Sequence, residues 1–421
     1  MNHQKKKRKG NFPFCFPDSL AAVYIFISAD ETTRDTQKMF PFKTRRTLKR
    51  HREELLRLPE DVVELILERL PVKSLLRFRT VSKKLKSAID SRRFQERQQL
   101  IHMSRGPDIL FVSTNVYDDD GRLVKRVNDL DARRFAFGSS SAYTVHVPTN
   151  WGGTSVCHSN CDGLLCLYSI YNPSVCVVMN PATRWRRTFP LSNIQNLLLH
   201  RLYKGTPTPK LGFGKDKLTG TYKPVFLTNS SGFGLDNVTT CEVFDFTTQL
   251  WRYVHPASPF TTNPHTDPVY LDGSLYWLTD CEEEPKVLSF DLHTETFYVI
   301  CDAPFAHVLD PWSVTICILD NRLCVSKKAW PTQDIWSFQY SNMTWTKMCS
   351  IDLTQTFSWL GEPEWSLEPI AILDKHKLLL QGRDYRGAIF ILDLLTNSYH
   401  LLVKPSYSPI SLCYSQSLFS V

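Results

Sequence analysis

The sequence predicts an α+β multidomain chain in which a small all-α unit of three short helices precedes a much larger all-β domain. Three observations carry this. Between residues 58 and 94 apolar residues recur three and four apart, as on one face of a helix. Past residue 100 that spacing gives way to short runs of Val, Ile, Leu, Phe, Tyr and Trp, cut by Asp-Gly, Asn-Pro and Gly-x-Gly turns. The turns then recur at a near-constant interval: 46 residues from Asp245 to Asp291, 48 from Asp272 to Asp320 and 54 from Asp320 to Asp374. At 421 residues and 42% apolar content the chain can build two or three domains with a sizeable core.

Residues 1–52 carry 13 Lys and Arg against 4 Asp and Glu, so the net charge of +8 belongs to this stretch and the remainder stands at −1. A protein that grips phosphate spreads its cations over a folded face, so neither nucleic acid nor a membrane is expected as a partner. The stretch reads as a basic, disordered tail. Its run Lys5-Lys6-Lys7-Arg8-Lys9 cannot pack, and it fits a nuclear import signal or an inert solubilising end, which places the protein in the nucleus or cytoplasm. Residues 12–29 are apolar enough to raise a secretory leader. Against that stand Pro13, Pro17, Asp18, the lack of a small-x-small cleavage pattern, and a length short of the about 20 apolar residues that span a bilayer. Residues 43–52 read as a charged linker.

Residues 53–100 form the helical unit. Pro59 suits a helix start, where its fixed φ fits and its missing N–H costs nothing, and Pro71 stops the same helix. Between them Val62, Val63, Ile66, Leu67 and Leu70 make one apolar face. A second segment carries Leu75, Phe78, Val81 and Leu85 among basic residues, and a third carries Ile89 and Phe94. A unit of about 40 residues buries little surface alone, so its stripes should meet a partner chain or cap the next domain.

The run Leu58-Pro59, Leu65-Ile66-Leu67, Leu70-Pro71-Val72-Lys73-Ser74-Leu75, Arg77-Phe78-Arg79 and Val81-Ser82-Lys83 resembles the F-box, in its plant form with LPVKSL and RxVSK wording. The resemblance implies a helical hairpin that packs on the Skp adaptor and through it joins a cullin-based SCF ubiquitin ligase. Carried over position by position, the adaptor-facing set is Leu58, Pro59, Leu65, Ile66, Leu70, Pro71, Leu75, Leu76, Phe78, Val81 and Ser82. One departure stands out: the family usually has Trp where this chain has Leu85, so an aromatic anchor is lost while the position stays apolar.

Residues 101–421 alternate two half-units. In one, two strands flank an Asp-bearing turn, at Asp162-Gly163, Asp272-Gly273, Asp320-Asn321 and Asp374-Lys375. In the other, an apolar strand ends in Asn or Asp, a Thr-bearing turn follows, then an aromatic: Asn180 to Trp185, Asp245 to Trp251, Asp291 to Phe297, Asp393 to Tyr399, and a variant from Gln339 to Trp345. A period of about 50 residues holding four short strands is that of a kelch-type propeller blade, whose sheet buries its faces only against its neighbours. The expected fold is a kelch-like six-bladed β-propeller, with blades at residues 109–147, 156–190, 211–254, 269–300, 314–351 and 370–403. Residues 410–421 would lend a strand to the first blade and seal the ring; an open two-sheet arrangement is the alternative. The turn Asp and Asn should cap loop N–H groups and the aromatics should wedge between blades.

Cys161-Asp162-Gly163-Leu164-Leu165-Cys166, Asn180-Pro181-Ala182-Thr183-Arg184 and Leu211-Gly212-Phe213-Gly214-Lys215-Asp216 resemble the plant F-box-associated domain, usually worded close to CNGLLC, NPxTR and GFGYD. The resemblance covers residues 156–403 and implies a substrate-recognition module downstream of the F-box. Lys215 replaces the usual Tyr, and the linker 197–210 is long and basic.

Little here points to catalysis. Twelve cysteines include no C-x-x-C, and Cys157, His158, Cys161 and Cys166 are spaced as on a strand, so they read as reduced core residues rather than zinc ligands. No G-x-S-x-G, H-E-x-x-H or phosphate loop occurs, and Gly212-Phe213-Gly214 lacks the third glycine of a dinucleotide site. Glu282-Glu283-Glu284 reads as a solvated loop. No catalytic residue, cofactor or metal is expected. The favoured function is a non-catalytic adaptor that holds a target protein for ubiquitination, with Trp151, Trp312, Trp359 and Trp365, which lie outside the repeat frame, as target-binding candidates, although each fits a structural role better. The alternative is a secreted or stand-alone propeller enzyme or carbohydrate-binding protein, which the glycosylation triplets at Asn229, Asn237 and Asn342 would permit.

Overall fold

The computed structural model describes residues 59–421, apart from 104–107, 118–122, 136–142, 149–153, 158, 160, 170–175, 201–209, 234–237, 384–386 and 404–409. The expected tail, the leader-like stretch, Leu58, Trp151, His158 and Asn237 lie outside the described residues. The chain divides into two units, Met1–Ile101 and His102–Val421.

Among the described residues of the first unit four helices follow one another, the last reaching into the second: α1 (Glu60–Leu67), α2 (Val72–Phe78), α3 (Lys83–Asp90) and α4 (Arg92–Met103). Pro59 and Pro71 sit at the N-caps of α1 and α2 in extended conformation, and their carbonyls accept the first turns' N–H groups from Val62 and Ser74, both at 2.9 Å. The third predicted segment is two helices, because Ser91 turns extended (φ −68°, ψ 136°) and its hydroxyl accepts from the Phe94 N–H at 3.3 Å. Leu67, Val72, Leu75, Phe78, Ile89 and Phe94 close the core. Glu68 is buried beside them and pairs with Arg97 at 3.0 Å; burial, with Glu64 adding to it, raises its carboxyl above the usual range.

The second unit is β throughout, apart from short helical insertions. Strands β1 (Asp108–Tyr117), β2 (Leu123–Phe135) and β3 (Tyr143–Pro148) begin it. Five blades of four consecutive antiparallel strands follow. The first holds β4 (Thr154–Val156), β5 (Leu165–Ser169), β6 (Cys176–Asn180) and β7 (Trp185–Phe189); the second β8 (Lys210–Lys215), β9 (Tyr222–Asn229), β10 (Thr239–Asp245) and β11 (Leu250–Tyr253). The third holds β12 (Val269–Leu271), β13 (Ser274–Leu278), β14 (Lys286–Asp291) and β15 (Thr296–Asp302); the fourth β16 (Val314–Leu319), β17 (Arg322–Ala329), β18 (Thr332–Gln339) and β19 (Thr344–Asp352). The fifth holds β20 (Glu368–Leu373), β21 (Lys377–Gln381), β22 (Ile389–Asp393) and β23 (Ser398–Val403). A last strand, β24 (Ile410–Tyr414), returns to pair with β1, with Ile109 opposite Cys413.

Six blades were expected, the first of them borrowing a strand from residues 410–421, and this is corrected to five blades built from four consecutive strands. Residues 109–147 supply only three strands, because the chain ahead of them is helix α4, and their sheet is completed in the order β24-β1-β2-β3. The loan of a strand by residues 410–421 is as the repeat pattern requires.

Packing is between neighbours. One apolar cluster joins the first and second blades around Phe189, Phe226 and Phe244, and the next joins the second and third around Val243, Trp277 and Phe290. Two more join the third to the fourth and the fourth to the fifth. The outer-strand aromatics bridge the same seams: the indole N–H groups of Trp251 and Trp345 donate to the Pro190 and Asp302 carbonyls of the preceding blade at 2.8 Å, and the Tyr399 hydroxyl accepts from the Asp352 N–H at 2.9 Å. The repeated turn carboxylates cap as expected, with Asp291 Oδ1 accepting from the His293 and Thr294 N–H groups and Asp393 Oδ1 from those of Leu395 and Thr396. Each such turn closes on a residue at positive φ, from Arg184 to Asn397. Helix α5 (Asn193–His200) escaped the repeat pattern; it is started by a box in which Ser192 and Gln195 exchange side-chain bonds with each other's backbone N–H at 3.0 Å.

Candidate functional site

On the helical unit the expected adaptor-facing residues separate into two groups. Leu70, Leu75 and Phe78 are buried in the unit's own core and hold the helices together. Pro59, Leu65 and Pro71 are exposed, and Ile66, Leu76, Val81 and Leu85 are half-buried, so the apolar face open to a partner is built from these. Ser82 has a local task as well, accepting from the Leu85 N–H at 3.1 Å as the N-cap of α3.

In the second unit the candidate surface is one end of the blades. Antiparallel connectivity puts every loop from an outer strand to the next inner strand, and every loop from second to third strand, at the same end of the sheets. Here backbone bonds tie those loops together: Asp280 to Thr261, Val308 to Glu282 and Ser366 to Trp312, at 2.8 to 3.0 Å. Trp312 and Trp365 stack at 4.7 Å between centroids, and His265 lies on Trp312 at 3.9 Å. The Arg383 guanidinium stands 5.6 Å from the Trp312 ring and donates to the His265 carbonyl. Burial, then Arg383 and Lys210, lower the His265 pKa, which keeps the stacked ring neutral near pH 7. Trp359 does not join the stack; it packs on Phe390 at 5.8 Å, in the cluster between the fourth and fifth blades.

A family model for the F-box domain matches residues 55–97, and one described as the F-box associated beta propeller domain matches residues 138–421, more than half the chain. This is an F-box protein of the F-box-associated propeller family. Similar Arabidopsis thaliana proteins include F-box protein At1g11270, 54% identical over 300 residues, 70% of this chain and 91% of that one. F-box protein At2g34280 is 46% identical over 86% of this chain and 99% of its own length, and the F-box/LRR-repeat/kelch-repeat protein At1g09650 is 45% identical over 86% and 97%.

Within this F-box protein Cys157, Cys161, Cys166, Cys176, Cys241, Cys317 and Cys324 are buried and serve packing, while Cys281 and Cys413 are exposed. Burial pushes the Cys157 and Cys176 thiols up to about 12, and Cys157 donates to the Leu211 carbonyl at 2.7 Å. Among the described residues no group of three or more His, Cys, Asp or Glu is placed to hold a metal ion. Gly212 and Gly214 lie on inner strand β8, where a Cβ would meet Leu275 or Tyr270 of the next blade, so they serve close packing. Sequence reasoning missed Trp330, 42% exposed in the turn between β17 and β18, and Leu309, 82% exposed between β15 and β16. Trp330 falls inside the repeat frame, and the Trp-Pro turn it begins was the only signal for it.

Proposed function

We propose that this protein is the substrate-recognition adaptor of an SCF ubiquitin ligase, with the F-box helices docking on the Skp adaptor and a closed kelch-like propeller presenting its loop end to a target protein. One observation carries the reading. The helical unit closes its own core with Leu70, Leu75 and Phe78 and still leaves Leu65, Ile66, Leu76 and Val81 open, an apolar face that a partner must cover. The protein itself then makes and breaks no bond: holding a target's lysines beside a charged conjugating enzyme raises their effective concentration. The Lys5 to Lys9 run supports action in the nucleus as well as the cytoplasm. Of the triplets that would permit a secreted propeller, the Asn229 amide is bound on both sides to Thr262 at 2.8 Å and is not free to carry a sugar, while Asn342 is exposed.

The test is capture of the purified full chain by a Skp adaptor. Leu65→Asp with Leu76→Asp should abolish capture while the melting curve of the propeller is unchanged, because these side chains lie outside the core. Capture equal to wild type would overturn the reading. Leu85→Trp, which restores the usual aromatic, should tighten it.

A further inference from the structure

The loop end of the propeller is sharply polarised. Over the third to fifth blades the loops 255–268, 279–285, 303–313, 330–331 and 353–367 hold eight Asp and Glu and neither Lys nor Arg, and a further loop at this end, 382–388, holds Arg383, Asp384 and Arg386. Seven of these carboxylates, Asp280, Glu282, Glu283, Glu284, Asp310, Glu362 and Glu364, are exposed, and none has an ion-pair partner among the described residues. The lysines nearest them are committed elsewhere: Lys286 to Asp302, Lys327 to the Ala306 carbonyl and Lys328 to those of Pro363 and Glu364.

The opposite end is built differently. There Asp162 pairs with Lys215, Asp272 with Lys217, Glu295 with Lys223 and Arg252, Asp320 with Arg322 and Asp374 with Lys377. Five carboxylates of that end are paired with cations of the same end, whereas at the loop end Asp267 alone of the eight pairs, with Lys210, and the other seven, three of them consecutive, have no ion-pair partner among the described residues. Such crowding is relieved by cations from outside.

Among the acidic groups stand the side chains that give a protein interface its area: exposed Leu309, Trp330 and Phe357, and the Trp312–Trp365 stack. His265 and Trp365 both stack on Trp312, while no further ring or cation lies on Trp365 among the described residues. Arg383 beside Trp312 shows within the molecule the contact that a partner's guanidinium could make.

We infer that this end, over the third to fifth blades, binds an extended arginine- or lysine-rich segment of the target protein, with its cations on the carboxylates and on Trp365 and its apolar residues on Leu309, Trp330 and Phe357. The inference rests on the adaptor reading for its biological meaning but not for its chemistry. An anionic partner such as nucleic acid is the wrong sign.

The test uses the full chain and two labelled peptides, one of alternating Arg, Leu and Gly and one with Glu for every Arg, with binding read by fluorescence anisotropy. The Arg peptide should bind, more weakly as salt rises, and the Glu peptide should not. Glu282→Lys with Glu283→Lys and Glu284→Lys should weaken binding about tenfold or more, whereas the same charge change at Glu60, Asp61 and Glu96 of the helical unit should leave it unchanged. Trp365→Ala should weaken it with less change in the salt dependence; should that variant fail to fold, the loop reversal, confined to exposed residues, still decides. Absence of binding, equal binding of the two peptides, or equal loss in both triple variants would overturn the inference. Skp capture on the same preparations separates the two claims: capture without peptide discrimination sinks this inference alone, and discrimination without capture leaves it standing while removing the ligase role.

Discussion

At the scale of single residues, two departures from the family wording explain each other. Where CNGLLC and GFGYD are usual, this chain has Asp162 and Lys215, and the two meet as an ion pair at 2.7 Å, each side chain under a fifth exposed. The Tyr222 hydroxyl donates to the same carboxylate at 2.8 Å, and the Lys215 ammonium lies 4.9 Å from the Phe419 ring. Read singly, each substitution looks like drift; as a pair they join the first blade to the second. Removing one partner leaves the other partly buried and unsatisfied, which costs about 1–3 kcal/mol, whereas removing both restores neutral groups. A double-mutant cycle by denaturant unfolding should therefore find Lys215→Tyr and Asp162→Asn each destabilising and the double variant less so than their sum. Simple additivity would deny the coupling. Sequence alone displayed the departures but not their contact, since 53 positions separate them.

Among elements, the repeat frame was readable because its chemistry is local. An Asp or Asn that caps its own turn and a residue at positive φ that closes it need no distant partner, so the half-units can be found by self-comparison. What was not readable depended on remote contacts. Ser91 splits one predicted helix in two, α5 arises from a capping box inside what reads as linker, and Trp359 looks free in sequence yet is packed between blades. The turn carboxylates also do more than cap. Asp216, in the turn between β8 and β9, accepts from the Leu218 and Thr219 N–H groups and meets His293 of the next blade at 3.1 Å. Burial works to raise its carboxyl, but the Thr219 hydroxyl and backbone bonds and the His293 contact outweigh it and hold it at about 2. A folded pKa below the unfolded one means that the stabilisation is present above the unfolded value and is lost as pH falls through the folded value. Thermal melts of wild type and Asp216→Asn should thus converge as pH drops from about 5 towards 2. A gap that stays constant over that range would show that the carboxylate's charge is not what the turn uses.

For the whole molecule, the predicted arrangement of helical unit and propeller holds, and the error in blade count has a topological cause. A self-comparison counts the first repeat as one more blade, although residues 109–147 supply only three strands and their sheet is completed by β24, the loan expected of residues 410–421. Beyond β24 the closure continues onto the first blade: Asn180 Nδ2 donates to the Ser417 and Phe419 carbonyls at 3.0 Å, Arg187 reaches the Val421 carbonyl at 3.3 Å, and a Cβ on Gly163, at φ +70°, would run into the Ser415 carbonyl. Deleting residues 410–421 should therefore cost far more than its length suggests. It bares the inner edge of one sheet and one face of the next, and a broad, lower melting transition with aggregation on gel filtration is expected. A monomer melting as sharply as the full chain would show that the ring does not depend on this segment.

The pairing of Ile109 with Cys413 also sets a schedule for synthesis. A ribosome makes β1 first and waits some three hundred residues for the strand that completes its sheet, at about 5–20 residues per second. The five intermediate blades can stack as they emerge, each on the one before. The sheet made first is therefore finished last, and until then its unpaired edge is open to chaperones and to other nascent chains.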